Sequence, residues 1–370
     1  MIAATGPVEA FVQSAPLPPR PAPAAPRMAW HEGLFAGLAS SAATVTIALL
    51  LTMAAPHLLS WAVVNGIWHG GPAACRAGEG ACWAFLTAKG PQILFGIYPP
   101  GERWRAIAVV VALTALALWT LPPAHWTRRT LIAWIVGILL SLLVMGGAWL
   151  GLEPVPTSAW GGLPITLLLT VLSLAIGFPA AIMLALCRRS PAPILRWMSI
   201  GFIEIVRGLP LLSMLFIAAV LLPIMLPEGF TIDNFTRALA ALCCYSAAYL
   251  AEVLRGGLQA IPPGQAEAAA ALGLQRWQTL RFIVLPQAIG KVLPALTNTV
   301  VVIIKNTGLV LVVGLFDLLS SARAALTDPD WPAPFAETFA FVALIYFAIC
   351  FGISRYSLFL ETRMNMGHRR

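Results

Sequence analysis

The sequence predicts an all-α integral membrane protein, and three observations predict it. Of its 370 residues, 59% are hydrophobic and only 10% are charged, with a mean hydropathy of +0.84; a soluble domain carries about 25% charged residues. The apolar residues form uninterrupted runs instead of alternating ten-residue segments, so helices, not an outer-membrane barrel, satisfy the backbone within lipid. The charges collect mainly between those runs.

A span needs roughly 20 apolar residues. About eight stretches approach that length, at 42–64, 107–121, 131–152, 163–186, 201–226, 238–258, 289–315 and 335–353. The second is short, and the seventh is long enough to tilt or break. Ahead of them, "SAPLPPRPAPAAPRMAW" has little to bury, which predicts a disordered Pro-rich tail over 1–29. Residues 30–153 read as a three-span section and 154–362 as a five-span core entered through "EPVPTSAWGG", with a basic tail at 363–370.

Orientation follows from the basic residues, which are retained in the cytoplasm. With Arg20 and Arg27 inside, "HWTRRT", "CRRSPAPILRW", Arg276, Arg281 and "RYSLFLETRMNMGHRR" fall on the same side. The opposite connections carry Glu153, Glu228, Asp233, Asp317, Asp328, Asp330 and Glu337 against the isolated Arg237 and Arg323. The first outer loop, 65–105, is mixed in sign. Both termini are then cytoplasmic, and the net charge of +8 is dispersed along a membrane topology. Lipid is therefore the expected surroundings and nucleic acid is not an expected partner.

Cys187, Cys243, Cys244 and Cys350 lie in apolar runs and read as packing residues. Cys75 and Cys82 sit in the polar outer loop, where an oxidising compartment would permit a disulfide. His57, His69 and His125 lack ligand spacing, so no metal site is expected.

The polar stretch 260–289, "AIPPGQAEAAAALGLQRWQTLRFIVLPQAI", interrupts the apolar pattern. Pro262, Pro263 and Gly264 open an Ala-rich helix that Gly273 stops, and a second short helix follows around Trp277. Helices this short are marginal in water and must pack on something, the alternative being an amphipathic loop that lies on the lipid headgroups. Inside the spans, Glu204 and Arg207, and Glu252 and Arg255, are each three apart, so each pair shares a helix face and can neutralise itself. Lys305 has no such neighbour. Ionisable residues within spans are candidates for a substrate pathway, the competing role being a brace between helices.

The run Glu267-Ala268-Ala269, three residues, Gly273, nine residues, then Ile283-Val284-Leu285-Pro286 resembles the EAA loop of bacterial ABC importer permeases. "FIEIVRGLPLL", "SAAYLAEVLRGGLQAIPPGQ" and "VVIIKNTGLVLVVGLFDLL" narrow the resemblance to polar amino-acid permeases. The three preceding spans, the Cys75 and Cys82 loop and the chain's ending resemble the longer permease subunit of general L-amino-acid importers. One departure is that Asn306 and Gly308 stand where the family usually has Asp and Ser, so no acidic role is carried over there.

The resemblance implies a five-helix type I importer core preceded by three extra spans, in a bacterial inner membrane. It implies a non-catalytic permease that imports L-amino acids by alternating access, with loop 259–287 docking on partner ATPase subunits. Those partners would bind ATP and Mg, since the chain contains no G-x-x-x-x-G-K-[ST] loop. A second, homologous permease subunit and a periplasmic amino-acid-binding protein complete the implied assembly. The alternative is an ion-coupled secondary transporter, which would leave 260–289 without a purpose; no inverted repeat of the kind common there is visible. A membrane-embedded enzyme is disfavoured because the spans hold no cluster of His, Asp or Cys.

Overall fold

The computed structural model describes residues 34–367; the Pro-rich tail expected over 1–29 lies outside them. Among the described residues the regular structure is helical, apart from a two-residue strand, Phe316–Asp317, which pairs in parallel with Gly161 and Gly162. Seven helices among the described residues are long and apolar enough to cross a membrane, or eight if one bent pair counts as a span. The chain divides into two compact units, Met1–Ala62 and Val63–Arg370.

In the first unit, α1 (Leu38–Leu59) buries no side chain. The Ser40 and Thr44 hydroxyls donate to the Leu34 carbonyl at 2.9 and 2.8 Å, so its first turn satisfies its polar atoms locally.

The second unit opens with α2 (Pro72–Ala77) and α3 (Trp83–Phe95), joined by a Cys75–Cys82 disulfide. The mixed outer loop of the sequence thus contains a helical lobe. Its α3 buries Ala84, Phe85 and Ile93, which cluster with Leu318, Ala322, Ala325 and Val342 far along the chain. Gly96, at φ +62°, ends α3.

The second and third spans, α4 (Arg103–Thr120) and α5 (Arg128–Gly146), form a hairpin. Arg105 is 1% exposed. It pairs with Glu102 at 2.7 Å and donates to the Glu153 carbonyl at 2.7 Å, so this hairpin is pinned to the linker that leads into the core.

The core begins with α6 (Gly162–Cys187), followed by α7 (Pro193–Gly208) and α8 (Leu211–Met225). The sequence predicts one span over 201–226; the structure instead bends the chain by 101° between α7 and α8. Pro210 is the cause, because proline drives the preceding residue out of helical geometry; Leu209 has φ −95° and ψ 135°. Next, α9 (Asn234–Gln259) packs on α6, where Gly177 meets Ser246 and Ala247. A Cβ on Gly177 would lie 2.8 Å from that of Ser246, a close approach of the kind that holds helices together in lipid.

The chain continues through α10 (Pro263–Ala271) and α11 (Arg276–Thr279), then a π-turn, Leu280–Val284, into α12 (Leu285–Asn306). The seventh apolar run tightens to a 3₁₀ helix at Thr307–Val313 and turns at Gly314. α13 (Leu318–Ala325) and α14 (Phe335–Gly367) complete the fold.

Two glycines create a seam between distant segments. Gly162, at φ +68°, lies so close to the end of α3 that an added Cβ would sit 2.1 Å from the Leu94 carbonyl oxygen. A Cβ on Gly96 would sit 2.8 Å from the Gly161 Cα. Only glycine provides both that clearance and that backbone angle.

Candidate functional site

The 260–284 unit is built by its own hydrogen bonds. The Gly273 amide donates to the Ala270 carbonyl at 2.9 Å and the Leu274 amide to that of Ala269 at 3.1 Å, the paired closure that a left-handed glycine makes at a helix C-terminus. Gly273 has φ +79°. α11 starts with a reciprocal cap between Gln275 and Gln278, and the Trp277 indole donates to the Gln275 amide oxygen at 2.8 Å.

This closed backbone turns Ala269 inward, at 1% exposure, and leaves Glu267 and Ala268 outward. Leu272, Trp277 and Phe282 are 81%, 55% and 61% exposed. Glu267 borders a cleft of about 480 Å³ with Arg189, Ala270, Arg276 and Leu280. Ile283 and Leu285 are half-buried around the π-turn and Pro286 occupies the first turn of α12, so these three shape the joint between unit and span. The Lys291 ammonium donates to the Ala260 carbonyl at 2.6 Å, and Gln287 to Gln265 at 3.3 Å. These two contacts tie the unit to α12.

Four of the five charged candidates within the spans converge beside this unit. Glu252 accepts from Arg255 at 2.5 Å and lies 3.3 Å from Arg188 and 3.7 Å from Arg207. Arg188 also pairs with Glu204 at 3.1 Å. The expected Glu204–Arg207 pairing along one helix is not what forms. Each of these residues instead reaches across to another helix, because a cation at the end of α6 and a carboxylate on α9 offer closer partners. Arg188 was not singled out from the sequence; its signal was the "CRR" that ends the first core span.

Arg207 also lies over the Tyr249 ring at 5.9 Å, and Tyr249 stacks on Tyr245 at 4.2 Å. Tyr245 in turn interacts with Asn306. A line of polar and aromatic side chains thus leads from the ion pairs into the core. These tyrosines also went unremarked in the sequence, where their spacing of four on one helix was the available sign.

Lys305 stands apart. It borders a cavity of about 620 Å³ with Leu319, Tyr346, Phe347 and Cys350, and it forms no ion pair among the described residues. Nearby, Asp317 is fully buried. It caps α13 by accepting from the Leu319 and Ser320 amides at 3.1 and 3.0 Å, and from the Tyr346 hydroxyl at 3.1 Å, which accounts for its charge structurally. Among the described residues no three His, Cys, Asp or Glu side chains are grouped to hold a metal.

The profile of the family described as "Binding-protein-dependent transport system inner membrane component" matches residues 177–366. The chain is 41% identical to the inner membrane amino-acid ABC transporter permease protein YhdY of Escherichia coli (strain K12), over 95% of this chain and 97% of that protein. It is 34% identical to the glutamate/glutamine/aspartate/asparagine transport system permease protein BztC of Rhodobacter capsulatus, over 97% of this chain and 99% of that one. A crystal structure of an amino acid ABC transporter with histidines aligns at 35% identity over 55% of this chain and 92% of its own, with a TM-score of 0.49.

Proposed function

Because this chain belongs to the family of binding-protein-dependent transport system inner membrane components, we propose that it is the permease subunit of an ATP-driven importer of L-amino acids. The names of the two full-length relatives support the substrate class. In this reading the 260–284 unit faces the cytoplasm and docks in a partner ATPase, which supplies ATP and Mg chemistry. A second, homologous permease completes the pathway, and a binding protein delivers substrate to the outer face. This chain moves substrate and catalyses no covalent step.

The observation that carries this reading is the exposed Leu272, Trp277 and Phe282 on a unit whose backbone is already closed. Apolar side chains on a well-formed unit between spans mark an interaction surface. ATPase closure would push on that surface. Lys291 and Gln287 would pass the motion to α12, and the ion pairs joining α6, α7 and α9 would carry it to the neighbouring helices. The line Arg207, Tyr249, Tyr245 and Asn306 is then the candidate inner part of the pathway, presenting a cation and hydroxyls to a zwitterion.

The test is co-purification of the tagged chain in mild detergent, with mass spectrometry of what accompanies it. An ATPase and a second permease are expected with the unaltered chain, and the ATPase is expected to be lost from Glu267→Lys. Recovery of the chain alone, active in vesicles without ATP and silenced by an uncoupler, would overturn the reading in favour of an ion-coupled transporter.

A further inference from the structure

The connection between α4 and α5 borders an open recess of about 770 Å³ at one end of the hairpin. Trp119, His125, Thr127, Arg128, Arg129 and Thr130 border it. Arg128 and Arg129 are exposed and form no ion pair among the described residues. No carboxylate borders the cavity, so two adjacent guanidinium groups share one recess without a counter-charge.

The recess is held in shape. His125 stacks on Trp119 at 4.3 Å and its Nδ1 lies 2.6 Å from the Trp119 carbonyl oxygen. The Trp126 and Trp134 indoles converge on Thr120, at 3.0 Å to its carbonyl and 2.9 Å to its hydroxyl. The Tyr356 hydroxyl of α14 donates to the Leu121 carbonyl at 2.6 Å. Tryptophan and tyrosine gathered at a span end mark the headgroup level of a bilayer. Below the arginines, the cavity wall becomes apolar at Leu116 and Ala133.

From these features we infer that the recess is a binding site for an anionic phospholipid. Its phosphodiester headgroup accepts from Arg128 and Arg129, and its acyl chains run along Leu116 and Ala133. Arginine forks suit phosphate oxygens, and a basic pocket between spans at headgroup depth is the setting in which anionic lipids are recognised. The site belongs to the spans that precede the core and is independent of the transport reading.

The experiment is native mass spectrometry of the full chain, released from detergent and titrated with cardiolipin, phosphatidylglycerol or phosphatidylcholine. The unaltered chain is expected to retain an anionic lipid on the order of tenfold more tightly than the zwitterionic one. Arg128→Gln with Arg129→Gln is expected to erase that margin, while Arg196→Gln, an exposed arginine elsewhere, leaves it intact. Inorganic phosphate at millimolar concentration is expected not to displace the lipid. Equal retention of all three lipids by the unaltered chain would overturn the proposal whatever the variants do. So would an equal loss in Arg196→Gln, or displacement by inorganic phosphate, which would make the recess a site for the free ion.

Discussion

The lobe of α2 and α3 and the unit of α10 and α11 both interrupt the spans, yet they are finished differently. The lobe is stitched within the chain: a disulfide closes it, and the Cys82 amide donates to the buried Glu337 carboxylate at 2.6 Å. Lys89 pairs with Asp328, and Arg76 donates to the Pro329 and Asp330 carbonyls. The 260–284 unit closes its backbone but leaves Leu272, Trp277 and Phe282 outward. The lobe spends its contacts within the chain, whereas the unit completes its backbone and leaves apolar side chains free, which is the contrast the docking proposal rests on.

The largest expected effect comes from making the unit resemble neither. Gly273→Pro removes an amide donor and forbids φ +79°, a local cost of about 3 kcal/mol. Uptake by the assembled transporter is expected to fall by about tenfold or more, with membrane insertion unchanged in a fractionation assay. Normal uptake would dissolve the contrast between the two regions.

Next is Glu252→Gln, which leaves Arg188, Arg207 and Arg255 without their common anion. Thermal unfolding is expected to report a loss of about 1–3 kcal/mol, together with reduced uptake. Wild-type stability would mean that water already satisfies those cations.

Replacing Cys75 and Cys82 by serine should act on the lobe alone. Opening so short a loop costs about 2.5 kcal/mol by loop-closure entropy. Hydrogen exchange is expected to speed up over 72–95 while coupling persists; lost ATPase binding would show that the lobe does more than support.

The smallest effect concerns Lys89 and Asp328. The hydrogen bond from Lys89 holds the Asp328 carboxyl below its ordinary value. The contribution of that pair is therefore complete above the usual carboxylate range and is lost as pH falls through the lowered value. Lys89→Met should flatten the acid dependence of lobe protection in hydrogen exchange and change little at neutral pH.

The spans were legible because lipid imposes length and composition on each helix separately. The elbow at Gly273 was legible because a left-handed turn demands glycine and the Ala-rich helix before it has no other stop. What escaped was whatever depends on a distant partner. Pro210 lies inside the run read as one span over 201–226, and the break it makes there was not expected. For Glu204, spacing along one helix pointed to Arg207, and only the folded arrangement of α6 brings Arg188 to it. The lobe's helix, α3, was hidden because its apolar face is short and its covering residues, Leu318 to Ala325, lie more than two hundred positions away.

The glycine seam bears on how far this chain can be subdivided. The linker after Glu153 looks in sequence like a place to cut, with every core helix lying beyond it. At that seam, however, bare backbone at Gly161 and Gly162 is covered by Leu94 and Gly96, and α3 shares an apolar cluster with α13. A polypeptide begun at residue 154 would keep the core's helices but lose the surface against which its own later segment is laid. Shortening the chain there would uncover Leu318, Ala322 and Ala325 together with the bare backbone of Gly161 and Gly162.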